Sequence, residues 1–315
     1  SIKVILLHQF THILGFLKDT FRDYPMGINN VIFTTGTNVR NGVNRSFIIT
    51  QKVVEFAKKY YSCENITGME LEDQDGRTNS HWEARTLLGE YMNSDHYLLE
   101  QSISEFTLAL LEDSGWYKAN YYTGGLMRYG KNKGCIFLNE DCNNTFQHKN
   151  EFFSKSEDKY GCSSGRQSRG YSLTTDIIFG DIREYAIRFG KKPYFEIADF
   201  CFVFTSRESE ENSNGLYVGS CFRGNGGYGT SVSYSDNYPR ANFNLPKELG
   251  EKYNFNSFCV LSSVSIKGTQ EFYKFKNIVI HPMCYPMSCS EKSLTIQIYN
   301  QFVVCPRSGG KVQVN

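Results

Sequence analysis

Ten cysteines, spread over separate segments of a 315-residue chain, constrain its fold more than any other feature of the sequence. None of them belongs to the C-x-x-C pairs that zinc ribbons use, so we interpret them as disulfide partners. Disulfides persist in oxidising compartments, which indicates a secreted or cell-surface protein. Three N-x-S/T triplets, the acceptor pattern for N-glycosylation, agree with that route and start at Asn44, Asn65 and Asn143.

Charge and hydropathy argue against two classes of partner. The chain has 34 Lys and Arg against 33 Asp and Glu, a formal charge of +1, with no basic block of the kind that binds nucleic acid. No apolar run approaches the roughly 20 residues that cross a bilayer, so no transmembrane segment is predicted. The hydrophobic fraction of 40% is sufficient for a packed core.

Apolar spacing predicts three helices in the first part of the chain, at residues 2–16, 47–61 and 99–116. Gly15 suits the left-handed turn that closes a helix, and Ser114 with Gly115 ends the third helix. Beyond about residue 120, glycine-rich turns alternate with short β-prone runs, and most of the cysteines fall there. The sequence therefore predicts an α+β protein with a mainly β, disulfide-rich C-terminal region.

Two histidines at the start of the chain, His8 and His12, are four residues apart and share one face of the first predicted helix. The spacing is that of H-E-x-x-H, in which the two histidines bind zinc and the glutamate is the general base. Gln9 stands at the glutamate position, and a carboxamide cannot accept a proton from zinc-bound water. Two histidines on an apolar helix can equally be core residues hydrogen-bonded to the backbone. The pair alone therefore does not distinguish a zinc site from two buried core histidines.

Gly15 favours the metal interpretation, because a metzincin chain leaves the helix at this point to bring a third ligand to the metal. In short-spaced metzincins that histidine follows three residues after the glycine, where this chain has Lys18. The third ligand is therefore expected farther along the chain. The candidates are His81, His96, His148 and His281.

His81 opens the segment HWEAR, and Glu90, Tyr91 and Met92 follow it, with Met92 placed like the methionine of a Met-turn. At these residues the chain resembles the leishmanolysin family of zinc metallopeptidases, in which a long insertion separates the helix from the third histidine. The resemblance extends through LALLEDSGWY at 108–117 and takes in Cys63 and Cys135. It covers most of residues 4–142 and continues more loosely through the cysteine-rich remainder.

The resemblance implies a metzincin-like lower catalytic subdomain, made of the active-site helix, the Met-turn and the following helix. It implies one Zn²⁺ on His8, His12 and His81, with water in the fourth position and Met92 as a hydrophobic floor rather than a ligand. His96 is the alternative fourth ligand that would close the site. The resemblance also implies the disulfides Cys63–Cys135 and Cys142–Cys201.

In the family a sizeable N-terminal subdomain precedes the helix, whereas seven residues precede His8 here. We therefore expect residues 1–17 to be a remnant of that subdomain, 18–140 a central metzincin-like subdomain, and 141–315 a mainly β C-terminal domain. The boundary near residue 140 rests on composition. Apolar residues cover nearly every face of the helix, so an upstream fragment or another protein subunit is expected to cover it.

Gln9 leaves three explanations open: a native pseudopeptidase, a substitution engineered to trap a complex, or a glutamate assigned as glutamine. We favour a zinc-bound, catalytically impaired scaffold or partner-binding subunit. The alternative is an active zinc metalloendopeptidase that hydrolyses protein or peptide substrates, should position 9 be Glu. A disulfide protein without a metal is a third hypothesis.

Overall fold

The structure is a computed structural model, and it divides the chain into two compact units. Unit one comprises Ser1–Asp158 and Leu173–Val203, and unit two comprises Lys159–Ser172 and Phe204–Asn315. The structure describes residues 2–40, 43–72, 80–94, 101–124, 127–139, 151, 160–172, 198, 199, 201, 203–205, 207, 208, 217, 218, 221, 250–262, 281–290 and 293–305.

Unit one mixes helices with a small antiparallel sheet, whose strand order is β1-β2-β3. Three short 3₁₀ helices, at Thr20–Asp23, Ile28–Asn30 and Tyr121–Thr123, connect the longer elements. The elements, in chain order, are α1 (Ile2–Leu14), β1 (Ile32–Arg40), β2 (Val43–Ile48), α2 (Gln51–Tyr61), β3 (Met69–Leu71), α3 (Ala84–Leu87), α4 (Glu105–Asp113) and α5 (Gly134–Asn139).

Helix α1 ends at Leu14, directly before Gly15, where the sequence predicts its stop. This glycine has φ +136°, a conformation that L side chains rarely adopt, and a Cβ placed on it would lie 3.0 Å from the ring of Trp116. The amides of Gly15 and Phe16 still bond back to His12 and Thr11 at 3.2 and 3.1 Å. The chain therefore leaves the helix in a closed turn immediately after His12.

The other two predicted helices exist but are shorter than the apolar spacing indicates. Phe47 and Ile48 lie in β2, where they pair with Phe33 and Ile32 of β1, and α2 begins at Gln51. The third helix begins at Glu105, because Ser104 caps it by accepting a hydrogen bond from the amide of Thr107. Residues 95–100, inside the predicted third helix, lie outside the described residues.

Aromatic side chains form the centre of unit one, where α2 packs on α4. Phe106 of α4 is fully buried, and its ring centroid lies 4.7 Å from Phe56 and 5.2 Å from Tyr60. The disulfide Cys63–Cys135 joins the residues after α2 to α5, across 72 residues of sequence. Close-packed rings and one covalent link therefore fix the scaffold that carries the turn at residues 88–94.

Unit two is mainly β among its described residues, as predicted. Its largest sheet is antiparallel with the strand order β12-β11-β10-β9, and the disulfides Cys162–Cys259 and Cys221–Cys284 cross-link the unit. Its strands are β4 (Tyr160–Cys162), β5 (Arg169–Ser172), β6 (Phe204–Thr205), β7 (Arg207–Glu208), β8 (Tyr217–Val218), β9 (Ser257–Ser262), β10 (His281–Cys289), β11 (Leu294–Ile298) and β12 (Gln301–Cys305).

The two compact units divide the chain differently from the three predicted segments. Residues 1–17 and 18–140 both fall in unit one, which also takes 141–158 and 173–203. A change in composition marks where strands and glycines become frequent, but it does not show which residues pack together. No helix in the described part of the chain is long and apolar enough to span a membrane.

The N-terminus of α2 is capped from a distant part of the sequence. Thr50, at the capping position, makes no side-chain cap bond, and the carboxylate of Asp113 instead accepts from the amides of Lys52 and Val53 at 3.0 and 3.2 Å. An anion at a helix N-terminus satisfies amides that have no partner within the helix and complements the helix dipole. Asp113 therefore ties the end of α4 to the start of α2.

We expect Asp113→Ala to lower the free energy of unfolding by about 1–2 kcal/mol, because the amides at the start of α2 lose their acceptor. Denaturant unfolding of the purified chain measures this. Glu55→Ala is the matched control, since Glu55 is an exposed carboxylate on α2 that bonds to Gln51 at 2.8 Å. It should change the unfolding free energy by about 0.5 kcal/mol or less. Equal losses in the two variants would contradict the capping role.

Candidate metal centre

Three histidine side chains from two parts of unit one converge. His8 and His12 lie one turn apart on α1, and His81 lies in the segment between β3 and α3. The Nε2 atom of His8 is 2.9 Å from Nε2 of His12 and 3.2 Å from Nε2 of His81. One ligand atom from each of the three lies within 4.8 Å of the others. The fold thus brings together three of the predicted ligands, across 73 residues of sequence between His8 and His81.

Backbone carbonyls set the orientation of the two α1 imidazoles. His8 Nδ1 donates to the carbonyl of Tyr91 at 2.7 Å, and His12 Nδ1 donates to the carbonyl of Phe16 at 2.7 Å. A carbonyl can only accept, so each Nδ1 carries a proton and each neutral ring keeps its lone pair on Nε2. Both lone pairs are therefore directed into the cluster.

This donor set fits zinc. Two lone pairs facing each other at 2.9 Å repel unless a cation lies between them. Nitrogen ligands at about 2.0–2.1 Å from a tetrahedral zinc are about 3.3 Å apart, close to the separations found here. Imidazoles held through Nδ1 by carbonyl groups are the usual supporting arrangement of zinc ligands. The cluster can accordingly hold one Zn²⁺ through three histidines.

The cluster is buried on the side of the protein core and accessible at one ligand. His8 is 1% exposed and His81 is 8% exposed, whereas His12 is partly exposed. Gln9 follows His8 on α1 and is exposed. Within the part of the chain that the structure describes, no other group of three or more His, Cys, Asp or Glu side chains could hold a metal.

Met92 is fully buried in the turn at residues 88–94, beside the segment that carries His81. The amide of Trp82 donates to the carbonyl of Met92 at 3.0 Å, and the amide of Glu72 donates to the carbonyl of His81 at 2.9 Å. The His81 segment is therefore hydrogen-bonded to β3 on one side and to the Met92 turn on the other. Its backbone is fixed independently of α1.

Glu90 organises this turn, a role that its sequence context alone does not indicate. Its carboxylate accepts from Thr107 Oγ1 at 2.7 Å, from Ser104 Oγ at 2.8 Å and from the amide of Met92. Thr107 Oγ1 in turn accepts from the indole of Trp82 at 2.8 Å. Burial raises the pKa of the Glu90 carboxyl to about 7, although these hydrogen bonds lower it. The sequence does contain one signal of its burial, because a carboxylate within an otherwise apolar stretch indicates a buried, hydrogen-bonded group.

The remaining predicted site residues are placed as follows. Cys63 is bonded to Cys135, the pairing that the resemblance implies, and Cys201 is disulfide-bonded. Asn65 is exposed, and Asn44 lies in β2. His281 lies in β10 of unit two. Outside the described residues lie His96, Cys142, Asn143 and His148.

Both units lie within the match to a known protein family, and individual proteins match part of the chain. A family model described as leishmanolysin matches residues 2–315. A leishmanolysin homolog of Crithidia fasciculata is 33% identical over 56% of this chain and 27% of its own length. A leishmanolysin-like peptidase of Drosophila pseudoobscura pseudoobscura is 40% identical over 35% of this chain and 17% of its own length. Leishmanolysin of Leishmania major is 29% identical over 53% of this chain and 27% of its own length. The chain thus matches between 17% and 27% of the length of these relatives.

We expect the purified chain to bind one equivalent of zinc. We also expect zinc affinity to fall on the order of 10²-fold or more in each of the variants His8→Ala, His12→Ala and His81→Ala. Removing a ligand costs more than removing the outer group that orients it, which weakens affinity by about 10- to 100-fold. Competition with a chromophoric chelator measures the affinity, and elemental analysis gives the stoichiometry. His281→Ala is the control and should retain the metal. Zinc loss in the control equal to that in the three variants would contradict the assignment.

Proposed function

Because this chain belongs to the leishmanolysin family of metallopeptidases, we propose that it is a zinc-binding member whose hydrolytic step is impaired by Gln9. The convergence of three histidine Nε2 atoms, two of them oriented by backbone carbonyls, carries the metal part of the proposal. The presence of Gln9 at the position that follows His8 in the sequence carries the second part. In this proposal α1, the Met92 turn and α4 form the lower half of a metzincin cleft.

The chain's own residues hold and orient the metal ligands. Tyr91 and Phe16 fix the tautomers of His8 and His12 through their carbonyl oxygens, which leaves both Nε2 lone pairs directed into the cluster. When bound, zinc supplies Lewis-acid chemistry for hydrolysis, since it polarises a carbonyl and acidifies water. None of these orienting contacts involves the side chain of residue 9.

Gln9 removes the proton acceptor that hydrolysis requires. Its amide oxygen can accept a hydrogen bond and its nitrogen can donate one, but neither takes up a proton near neutral pH. A positioned general base contributes about 10²- to 10⁴-fold to the rate of such a reaction. This chain is therefore proposed to bind peptide or protein segments at the metal cleft without turning them over efficiently.

The alternative function is an active zinc metalloendopeptidase, which the intact three-histidine cluster favours. It applies should the natural protein have Glu at position 9. The two functions share the metal site and differ in a single side chain, so one substitution separates them.

We propose a secreted or cell-surface location for the protein. Three disulfides in the described residues, Cys63–Cys135, Cys162–Cys259 and Cys221–Cys284, support an oxidising compartment. Asn65, one of the three glycosylation candidates, is exposed and accessible to a transferase.

We also propose that another polypeptide, upstream sequence or a separate subunit, covers the outward face of α1. Phe10 is 57% exposed and Ile13 is 76% exposed, and large apolar side chains grouped in this way mark interaction surfaces. The exposed apolar residues of this face are Ile5, Leu6, Leu7, Phe10, Ile13 and Leu14.

We expect Gln9→Glu to raise kcat/KM for a quenched fluorescent peptide library by about 10²- to 10⁴-fold, with zinc content unchanged, because the carboxylate restores a proton acceptor. Gln9→Ala is the control and should bind zinc without activity. A chelator should abolish the activity gained by Gln9→Glu. Equal activity of the parent chain and the Gln9→Glu variant would contradict the proposed impairment.

In the absence of the polypeptide that covers it, we expect the outward face of α1 to drive self-association of the purified chain, and Phe10→Ser with Ile13→Ser to shift the chain toward monomer by removing apolar contact area. Sedimentation velocity at several concentrations measures this. Phe255→Ser is the control, because Phe255 is 85% exposed and lies in unit two. A shift as large in the control as in the double variant would argue against this face.

A further inference from the structure

Helix α1 is attached to the rest of unit one by a narrow, largely polar stripe. His8 and Thr11 are each 1% exposed and Val4 is partly buried, whereas Leu6 and Ile13 on the other faces are 52% and 76% exposed. Isolated helices of fewer than about 12–15 residues are marginal in water, so α1, with 13 residues, depends on its tertiary contacts. Few apolar groups are buried beneath it, and polar contacts therefore contribute a large share of its attachment.

Tyr91 contacts two successive positions of that stripe. Its carbonyl accepts from His8 Nδ1 at 2.7 Å, and its hydroxyl lies 2.9 Å from Thr11 Oγ1. Thr11 Oγ1 donates its one proton to the carbonyl of Leu7 at 2.8 Å, so the Tyr91 hydroxyl is the donor in the second contact. Tyr91 thus contacts α1 through both its backbone and its side chain, and the two contacted residues, His8 and Thr11, lie about one turn of the helix apart.

The turn that presents Tyr91 is itself firmly held. The amide of Tyr91 donates to the carbonyl of Ser102 at 3.0 Å, and the neighbouring Glu90 carboxylate joins the turn to the start of α4. Tyr91 is 3% exposed. The contact between Tyr91 and Thr11 therefore connects a helix with little buried apolar surface to a rigid part of the core.

We propose that the hydrogen bond between the Tyr91 hydroxyl and Thr11 holds α1 in place for metal binding, which makes Tyr91 a positioning residue of the zinc site. This inference rests on the proposed zinc site. His81 belongs to the core, whereas His8 and His12 belong to α1, so the three ligands converge only when α1 is docked. Loss of the hydrogen bond lowers the docked fraction, and the apparent zinc affinity falls by the same factor.

The test compares zinc affinity in Tyr91→Phe, Thr11→Val and the double variant of the full chain, by competition with a chromophoric chelator. A buried hydrogen bond of ordinary strength corresponds to a loss of up to about 12-fold in Tyr91→Phe, the full factor being reached where metal-free α1 is mostly undocked. Thr11→Val should lose more, because it leaves the buried Tyr91 hydroxyl without its acceptor. The double variant should lose less than the product of the two single losses, because both substitutions remove the same contact.

Tyr61→Phe is the matched control. It also removes a buried tyrosine hydroxyl, one that donates to the carbonyl of Thr86 at 2.9 Å, and Tyr61 lies on α2. It should reduce stability and leave zinc affinity unchanged. Equal loss of zinc affinity in Tyr61→Phe and Tyr91→Phe, or losses in Tyr91→Phe and Thr11→Val that multiply in the double variant, would overturn the proposal.

Amide hydrogen exchange of the metal-free protein separates this proposal from the proposed function. Tyr91→Phe should speed exchange of the α1 amides by about 2- to 12-fold, with exchange in α2 unchanged. If the parent chain binds no zinc, the proposed function fails while faster α1 exchange still supports the docking role. Unchanged α1 exchange in both Tyr91→Phe and Thr11→Val would overturn the docking role whatever the zinc result.

Discussion

The architecture around α1 places two imidazole nitrogens, Nε2 of His8 and Nε2 of His12, 2.9 Å apart with their lone pairs facing each other. Neutral His8 and His12 cannot turn hydrogens toward each other, because each Nδ1 proton is already donated to a backbone carbonyl. A cation bound at the centre of such an arrangement replaces the repulsion between the lone pairs by attraction. The surrounding structure therefore serves one requirement, which is to hold α1 against the segment that carries His81.

That requirement is met mainly by polar groups supported by a packed aromatic core. The His81 segment is hydrogen-bonded between β3 and the Met92 turn, and the buried Glu90 carboxylate joins this turn to α4. Phe106, on the same helix, packs into the α2 aromatic rings, and Asp113 at its end caps α2. Helix α4 thus connects the metal centre to the core, and Cys63–Cys135 closes the scaffold behind it.

The sequence predicted those parts of the structure that follow from local spacing. The position of α1, its end at Gly15 and the shared face of His8 and His12 depend on a few neighbouring residues, and His81 was found through a resemblance. The first residues of α2 and α4 were predicted too early in the sequence. Apolar periodicity is overridden by the β pairing of Phe47 before α2 and by the cap at Ser104 before α4. Glu90 and Tyr91 could not be assigned roles, since two of their main partners, Ser104 for Glu90 and His8 for Tyr91, lie 14 and 83 residues away.

The same geometry explains why loss of a general base need not entail loss of the metal. The tautomers and ring orientations of His8 and His12 depend on the carbonyls of Tyr91 and Phe16, and the His81 segment is fixed by β3 and the Met92 turn. Gln9 is exposed and enters none of these contacts. In the proposed function a substitution at position 9 acts on proton transfer, whereas a change at Thr11 or Tyr91 acts on the docking of the helix that carries His8 and His12. The contacts that orient the two α1 ligands are thus separate from the side chain to which the proposal assigns the loss of turnover.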